Sequence, residues 1–231
     1  MKTLRQHLER LRKIRRSQHH PLIYTIHKKH KVAKKTLFYI KEYGPHSHVT
    51  KTILKESIQI LLLASIISSF GGLALERIKS LVIEIIPLII MLPTLNDMIG
   101  DYGIIVSSRF STMLHEGKIR KEIWATKELK ILFFQILIIS CITALMSSGI
   151  AIFTSKMLNS AVTIETAIKL ISIALIDVAV LVMILFTIAV IAGQYIYHKK
   201  EDPNNFLIPI TTSVADFGNM ALLSLLVVVL L

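Results

Sequence analysis

The last 26 residues of this chain, from Phe206 to Leu231, are long and apolar enough to cross a lipid bilayer as one helix. A polar, turn-forming pentapeptide, Glu201 to Asn205, comes directly before them. Thr211, Thr212 and Asp216 lie inside the apolar segment. A carboxylate within a membrane span is costly unless it faces protein, water or a cation, so Asp216 is predicted to be functional.

The composition places the rest of the chain in a membrane as well. Hydrophobic residues make up 53% of the 231 residues and charged residues only 18%, which is too little polar surface for a soluble domain of this size. The single cysteine, Cys141, excludes a disulfide within one chain and a cysteine-based metal site. No signal peptide is expected, because the first apolar stretch begins only near Ile53.

Five apolar runs predict an all-α membrane protein with five transmembrane helices. The second helix is expected to be broken, because its run contains Pro87 and Pro93 and leads into a polar, glycine-rich cluster at 96–103 before helix resumes at 104–114. A Gly71-Gly72 pair either lets another helix approach closely or marks the end of the first helix. The predicted runs are 53–75, 78–95, 129–153, 165–197 and 206–231.

Positive charge is concentrated at the N-terminus, where residues 1–55 hold 15 of the 27 Lys and Arg and only two acids. We therefore expect a basic cytoplasmic segment at 1–50, with an amphipathic helix at 1–16, followed by a membrane domain at 51–231. The basic segment is predicted to lie on anionic membrane lipids, with a solvated tail helix as the alternative, and nucleic acid is not an expected partner. The Lys and Arg bias of the connecting segments places the N-terminus in the cytoplasm and the C-terminus outside a cell membrane.

Four further acids lie at or near membrane depth. Unpaired buried carboxylates need protons or metal cations, and oxygen ligands without cysteine suit a hard cation such as Mg²⁺ or Ca²⁺. A packing hydrogen bond is the alternative role for Asp177, and turn formation is the alternative for Asp97 and Asp101. The four acids are Glu84, Asp97, Asp101 and Asp177.

Two separated motifs resemble those of the MgtE-type magnesium transporters and of solute-carrier family 41. The motif in the last segment consists of Asp202-Pro203, Pro209, Thr211-Thr212 and Asp216. The earlier motif, closest to the solute-carrier branch, consists of Glu76 to Pro87, Gly100-Asp101, Ser108 to Thr112 and Gly117.

The chain departs from these families in two respects. The Gly-Gly-Asn turn of bacterial members is replaced by Leu95 to Asp101. Only about 50 residues precede the membrane part, which is too few for the cytoplasmic regulatory domains of bacterial members. Ion coordination and magnesium-sensing regulation are therefore expected to differ.

The resemblance implies a transporter, not an enzyme, in which a five-helix domain pairs with a second copy to enclose a cation path at the dimer interface. Mg²⁺ is the ion that it implies, with Asp216 as the pore carboxylate and a Gly100-Asp101 turn approaching the same path. Solute-carrier members carry two units per chain, so a single unit here argues for a homodimer. The predicted metal-site residues are Asp216, Asp101, Thr212, Asp97 and Asn96, and the pore or coupling candidates are Asp177, Glu84 and Thr211.

Three other functions remain open from the sequence. A proton- or sodium-coupled exporter of Mg²⁺, Co²⁺ or Zn²⁺ would use Asp177 and Glu84 as coupling sites. A membrane anchor that recruits nucleic acid or an acidic partner would depend on residues 1–50 and leaves the intramembrane acids unexplained. An intramembrane protease would need an aspartate dyad, but Asp177 and Asp216 lack the local patterns expected of one.

Overall fold

The computed structural model describes residues 2–12, 21–32, 36–37, 49–119, 123–158, 160, 162–199 and 201–231. The helices are α1 Lys2–Arg12, α2 Pro21–His30, α3 Val49–Arg77, α4 Lys79–Glu84, α5 Ile86–His115, α6 Lys127–Met157, α7 Ile164–His198 and α8 Pro203–Leu230, with a 3₁₀ turn at Ile123–Ala125. Five of them, α3, α5, α6, α7 and α8, are long and apolar enough to cross a membrane. The predicted all-helical class and the number of spans are confirmed.

Local sequence signals set the ends of the helices that carry the candidate site. The side chain of Asp202 accepts a hydrogen bond from the Asn204 backbone N–H at 3.0 Å, and Pro203 is the first residue of α8. Helix α5 ends at His115, and Gly117, two residues later, adopts a positive φ of 67°. A glycine in this conformation closes a helix at little steric cost.

The polar cluster at 96–103 is helical, so the break predicted there is wrong, and so is the turn expected at Gly100-Asp101. Helix α5 runs without interruption from Ile86 to His115 and contains Pro93. The helical conformation is interrupted earlier, at Ile85, which lies between α4 and α5. Pro93 removes one backbone hydrogen bond but lies on the exposed surface of α5. Within the cluster, Asn96 and Tyr102 make contacts between helices, whereas Asp97 and Asp101 are exposed.

Helix α8 is the central element of the membrane domain. It packs against α3, α5 and α7, while α6 packs against α5 and α7. A continuous hydrophobic core fills the space between α5, α6, α7 and α8 and includes Phe110 and Leu185. Helix α3 is peripheral and exposes many large apolar side chains, such as Leu62 and Leu73. In a membrane such a surface faces lipid or another protein.

Hydrogen bonds between α3 and α8 show that these two helices run in the same direction. Ser57, early in α3, donates to the backbone oxygen of Asn205, early in α8, at 3.3 Å. Further along both helices, Ser68 donates to Asp216 at 3.1 Å. The start of α3 and the end of α8 therefore lie at opposite ends of the bundle.

The N-terminal helices α1 and α2 pack on each other through a separate apolar cluster. This cluster contains Leu11, Ile23, Ile26 and Leu37, with Leu8 at its edge. The amphipathic helix predicted for residues 1–16 is present over Lys2–Arg12, and residues 13–16 lie outside the described residues.

Candidate cation-binding site

Asp216 lies near the middle of α8, where α3 and α5 both reach it. Its Oδ2 accepts a hydrogen bond from Ser68 Oγ of α3 at 3.1 Å. Its Oδ1 accepts a hydrogen bond from Asn96 Nδ2 of α5 at 3.0 Å. The side chain is half-buried, and within the described part of the chain no Lys, Arg or His pairs with it. Within the described residues, the groups that hold the Asp216 side chain are therefore uncharged hydrogen-bond donors.

Asn219, one turn after Asp216 on α8, fixes the orientation of Asn96. Its Nδ2 donates to Asn96 Oδ1 at 3.0 Å, so the Asn96 amide presents its NH₂ group to Asp216. Asn219 is fully buried, and its own Oδ1 has no hydrogen-bond partner among the described residues. The network thus runs across three helices, from Ser68 through Asp216 and Asn96 to Asn219.

Gly71 lets α3 approach α8 directly beside Asp216. A Cβ atom at position 71 would lie 2.8 Å from Met220 Sδ, 3.3 Å from Phe217 Cα and 3.4 Å from the Asp216 carbonyl oxygen. A Cβ atom at Gly72 would meet nothing within 4 Å. The close approach predicted for the glycine pair is therefore confirmed for Gly71 only.

Thr211 and Thr212, one turn before Asp216, face different surroundings. Thr211 is fully buried, and its hydroxyl contacts Ser107 Oγ of α5 at 3.1 Å. The Thr212 hydroxyl donates to the Ile208 carbonyl at 2.9 Å, and this residue is half-buried. Thr212, four residues before Asp216, lies on the same face of α8 as Asp216, whereas Thr211 forms a contact between α8 and α5.

Asp97 and Asp101 lie one turn apart on a single exposed face of α5. Both are part of a candidate membrane span, and Arg109 and Thr112 are exposed further along the same helix. Asp97 directly follows Asn96, but it is not among the side chains that hold Asp216. One chain alone therefore leaves two carboxylates uncovered at the depth of the Asp216 network.

The remaining candidates lie away from this network. Asp177 on α7 is fully buried, and neither of its oxygens has a hydrogen-bond partner in the residues that the structure describes. The packing hydrogen bond considered as its alternative role is absent from that part of the chain. Glu84 is exposed at the end of the short helix α4, outside the five candidate spans.

The structure thus brings together Asp216 and Asn96 of the predicted metal-site residues and adds Ser68 and Asn219, which the sequence did not single out. The spacing of Asn219 from Asp216, three residues on one helix, was a usable signal. No group of three or more His, Cys, Asp or Glu side chains that could hold a metal ion occurs within the described residues. Within the described residues, the network of Ser68, Asn96, Asp216 and Asn219 is therefore centred on one carboxylate.

Comparison with known proteins gives a family match over the same helices. The model of the MgtE family, described as divalent cation transporters, matches residues 92–226. Solute carrier family 41 member 2 from Gallus gallus is 28% identical over 193 residues, which cover 76% of this chain and 32% of that protein. Its counterpart from Macaca fascicularis is 27% identical over 194 residues, with the same two shares. The chain thus spans about a third of the length of these relatives. No solved structure matches it.

Proposed function

This chain belongs to the MgtE family of divalent cation transporters, and from that membership we propose that it moves a divalent cation, Mg²⁺ in the first place, across a cell membrane. The family is one of transporters and not of enzymes. The Asp216 network is the proposed site of passage, with Thr212 as a further oxygen ligand on the same face of α8 and Asn96 as the residue that orients the Asp216 carboxylate.

The proposal depends on one observation. The Asp216 carboxylate lies within a candidate membrane span and is held by uncharged groups. A carboxylate at the centre of a span costs about 2.5–3.5 kcal/mol on insertion scales unless something compensates it. Ser68 and Asn96 orient it but bring no charge, and the half-exposed side of Asp216 leaves room for a further ligand. A passing cation is the compensation that remains.

Mg²⁺ suits such a site because it keeps several of its water molecules and needs only one or two carboxylates. A partly hydrated ion is therefore compatible with a single acid from each chain. The membrane potential would drive its entry with about 2.3 kcal/mol per elementary charge per 100 mV.

A second copy of the chain is proposed to cover the exposed acids of α5. Asp97 and Asp101 are unfavourable against lipid at this depth, and a two-fold pairing that brings two α5 faces together would place four carboxylates along one aqueous path. Asp216 of each copy would line the same path, so the pore lies at the dimer interface.

The proposed topology follows from helix direction and charge. The start of α3 and the end of α8 lie at opposite ends of the bundle, which supports termini on opposite sides of the membrane. The 15 Lys and Arg of residues 1–55 favour a cytoplasmic N-terminus, with the segment 1–50 on anionic lipid and the membrane domain at 51–231.

Magnesium uptake by the Asp216→Asn variant tests the proposed function. The protein is reconstituted in liposomes that contain a magnesium-sensitive dye, and Glu165→Gln, which changes an exposed acid at the start of α7, serves as the matched control. Loss of the ionised group should lower uptake at least about tenfold, the effect of 1.4 kcal/mol, while the control keeps the wild-type rate. Wild-type uptake by Asp216→Asn would overturn the assignment of this site.

The coupled exporter is a second candidate function, and one observation favours it. Glu84 is exposed outside the candidate spans, whereas Asp177 is a buried acid without a hydrogen-bond partner in the described chain. Of the two predicted coupling sites, Asp177 is therefore the one that lies in a place suited to binding a proton. Imposed pH and sodium gradients separate a coupled exporter from a channel, because only a coupled exporter responds to them.

A further inference from the structure

Asp177 lies deep within α7, about 20 Å along the helix axis from its first residue. Its side chain is fully buried, and both of its oxygens are without hydrogen-bond partners in the described chain. Ala174 and Val178, the nearest buried residues on α7, are apolar. Lys169, two turns earlier on the same helix, pairs with Glu165 at 3.0 Å. Asp177 is thus a fully buried carboxyl group whose nearest buried neighbours along α7 are apolar.

The helices that pack against α7 bring no compensating charge to Asp177 in the part of the chain that the structure describes. On α5, the acids Asp97 and Asp101 are exposed on the outer face. On α8, Asp216 is bonded to side chains of α3 and α5. On α6, the titratable group at this depth is the half-buried thiol of Cys141. A salt bridge is therefore not the reason for an acid at this position.

The position of Asp177 relative to the Asp216 network follows from the α7–α8 contact. Leu181, one turn after Asp177, packs against Gly218 of α8 so closely that a Cβ atom there would lie 2.7 Å from Leu181 Cδ2. Gly218 comes two residues after Asp216, and residues two apart face different sides of a helix. The two carboxyl groups therefore lie on different sides of α8, and α8 contacts the residues around each of them.

An ionised carboxylate in such a site is unfavourable, because no charge or donor among the described residues compensates it. The neutral acid is the favoured form, but its O–H group also has no acceptor among these residues, and an apolar side chain would be more stable at this position. A buried polar group requires a hydrogen-bond partner, and water is a partner that can also accept the proton of an acid.

The geometry points to Asp177 as a proton-binding site whose proton exchanges against the transported cation. In the conformation described here the carboxyl group holds the proton. When α7 and α8 separate, water reaches the group, the O–H bond breaks, and the proton leaves to water as the carboxylate forms. Rebinding of a proton restores the packed state. This inference rests on the proposed function, because it assigns the ion that moves in the opposite direction.

The sign of the coupling follows from charge. A divalent cation at Asp216 raises the positive potential around α8, which favours loss of a proton from a nearby acid. By linkage, protonation of Asp177 weakens cation binding by the same factor. A bound cation and a bound proton thus disfavour each other. In a transporter that carries one ion in each direction of its cycle, cation uptake is accompanied by proton movement in the opposite direction, and uptake should be faster at high pH than at low pH.

Simultaneous measurement of both ions in liposomes tests the inference. The full chain is reconstituted with a pH-sensitive dye inside, and potassium with valinomycin holds the membrane potential at zero, so that protons do not move merely to balance charge. A magnesium gradient is then imposed. In the wild type, protons should cross the membrane in the direction opposite to magnesium. The magnesium flux should also rise at least about fivefold from pH 6 to pH 8.

The Asp177→Asn variant, which imitates the protonated acid, should lose the proton flux and the pH dependence. Glu165→Gln, the same kind of change at an exposed site, should retain both. Thermal unfolding gives a readout independent of transport, in which Asp177→Asn should keep the wild-type midpoint and Asp177→Leu should raise it, because the apolar residue has no unsatisfied groups.

The possible results separate this inference from the proposed function. Magnesium flux without proton flux in the wild type would overturn the proton site and leave the proposed function intact. Equal proton flux in the wild type and Asp177→Asn would also overturn it, as would a lower unfolding midpoint for Asp177→Leu. Absence of any divalent flux in the wild type would overturn the proposed function, and the inference with it.

Discussion

Asp216 is held by hydrogen-bond donors that carry no charge, and this is the residue-scale feature on which the proposed function depends. Ser68 and Asn96 fix the direction of the two carboxylate oxygens, and Asn219 fixes Asn96 in turn. A carboxylate that is oriented but not neutralised is prepared to bind a cation, because its geometry is set before the cation arrives.

Replacing Asn96 with aspartate should strengthen cation binding and slow release. Asn96→Asp keeps the oxygen that accepts from Asn219 and places a second carboxylate within about 3 Å of Asp216, where the two charges repel unless a cation lies between them. The magnesium concentration for half-maximal uptake in liposomes should fall about tenfold, or 1.4 kcal/mol, with a lower maximal rate.

The matched control for this change is Asn204→Asp, which adds a carboxylate in the first turn of α8, away from the network. Its half-maximal concentration should stay at the wild-type value. An unchanged half-maximal concentration in Asn96→Asp would contradict the placement of the cation beside Asn96 and Asp216.

The sequence pointed to Asp216 and Asn96 but not to Ser68 and Asn219. Asp216 stands out because a carboxylate in an apolar span needs an explanation, whatever surrounds it. Ser68 and Asn219 are ordinary polar residues, and they become partners only through the register between α3, α5 and α8. Periodicity within one helix contains no information on the register between helices. Ser68 could therefore not be predicted, and the spacing of Asn219 placed it near Asp216 without indicating its contact with Asn96.

At the scale of single elements, α5 shows how tertiary contacts override local signals. Proline, glycine and acids at 93–103 are typical of turns, yet the segment is helical. Within it, Asn96 contacts α8 and Gly103 lies against Thr211, where a Cβ atom would be 3.1 Å from the Thr211 Cβ. In this segment the small residues allow close packing of helices, and the polar residues form hydrogen bonds between helices, as is common inside membranes.

The α3–α8 contact predicts opposite effects for two neighbouring glycines. Gly72→Ala should raise the free energy of unfolding by up to about 1 kcal/mol, because alanine favours a helix over glycine and its Cβ meets nothing within 4 Å. Gly71→Ala should lack this gain and reduce transport, because its Cβ would lie 2.8 Å from Met220 Sδ and 3.3 Å from Phe217 Cα.

Thermal unfolding and liposome uptake of the two variants provide the check. The pair has a built-in control, since both changes add one methyl group to the same turn of α3. If Gly71→Ala were as stable and as active as Gly72→Ala, the close approach of α3 beside Asp216 would not matter for the site.

At the scale of the whole molecule, hydropathy was sufficient to predict five spans, because a bilayer imposes the length and polarity of each helix separately. The pairing of two chains could not be derived in this way. It is proposed from the exposure of Asp97 and Asp101 on α5, which is a property of the packed bundle and not of any one segment.

Cross-linking tests the proposed dimer. In a Cys141→Ser background, Asp101→Cys should form a disulfide-linked dimer under mild oxidation if the α5 faces of two copies meet near the two-fold axis. Ile138→Cys, at a site on α6 that is 59% exposed, should stay monomeric. A dimer formed by Ile138→Cys and not by Asp101→Cys would contradict the proposed interface.

The central claim is that Asp216 binds the transported cation, and the most direct measurement is the effect of Mg²⁺ on thermal unfolding of the purified protein. A ligand at about one hundred times its dissociation constant stabilises the folded state by about 2.7 kcal/mol. The wild type should therefore show an unfolding midpoint that rises with Mg²⁺, and Asp216→Asn should show a midpoint that does not change. An equal rise in both proteins would contradict the account.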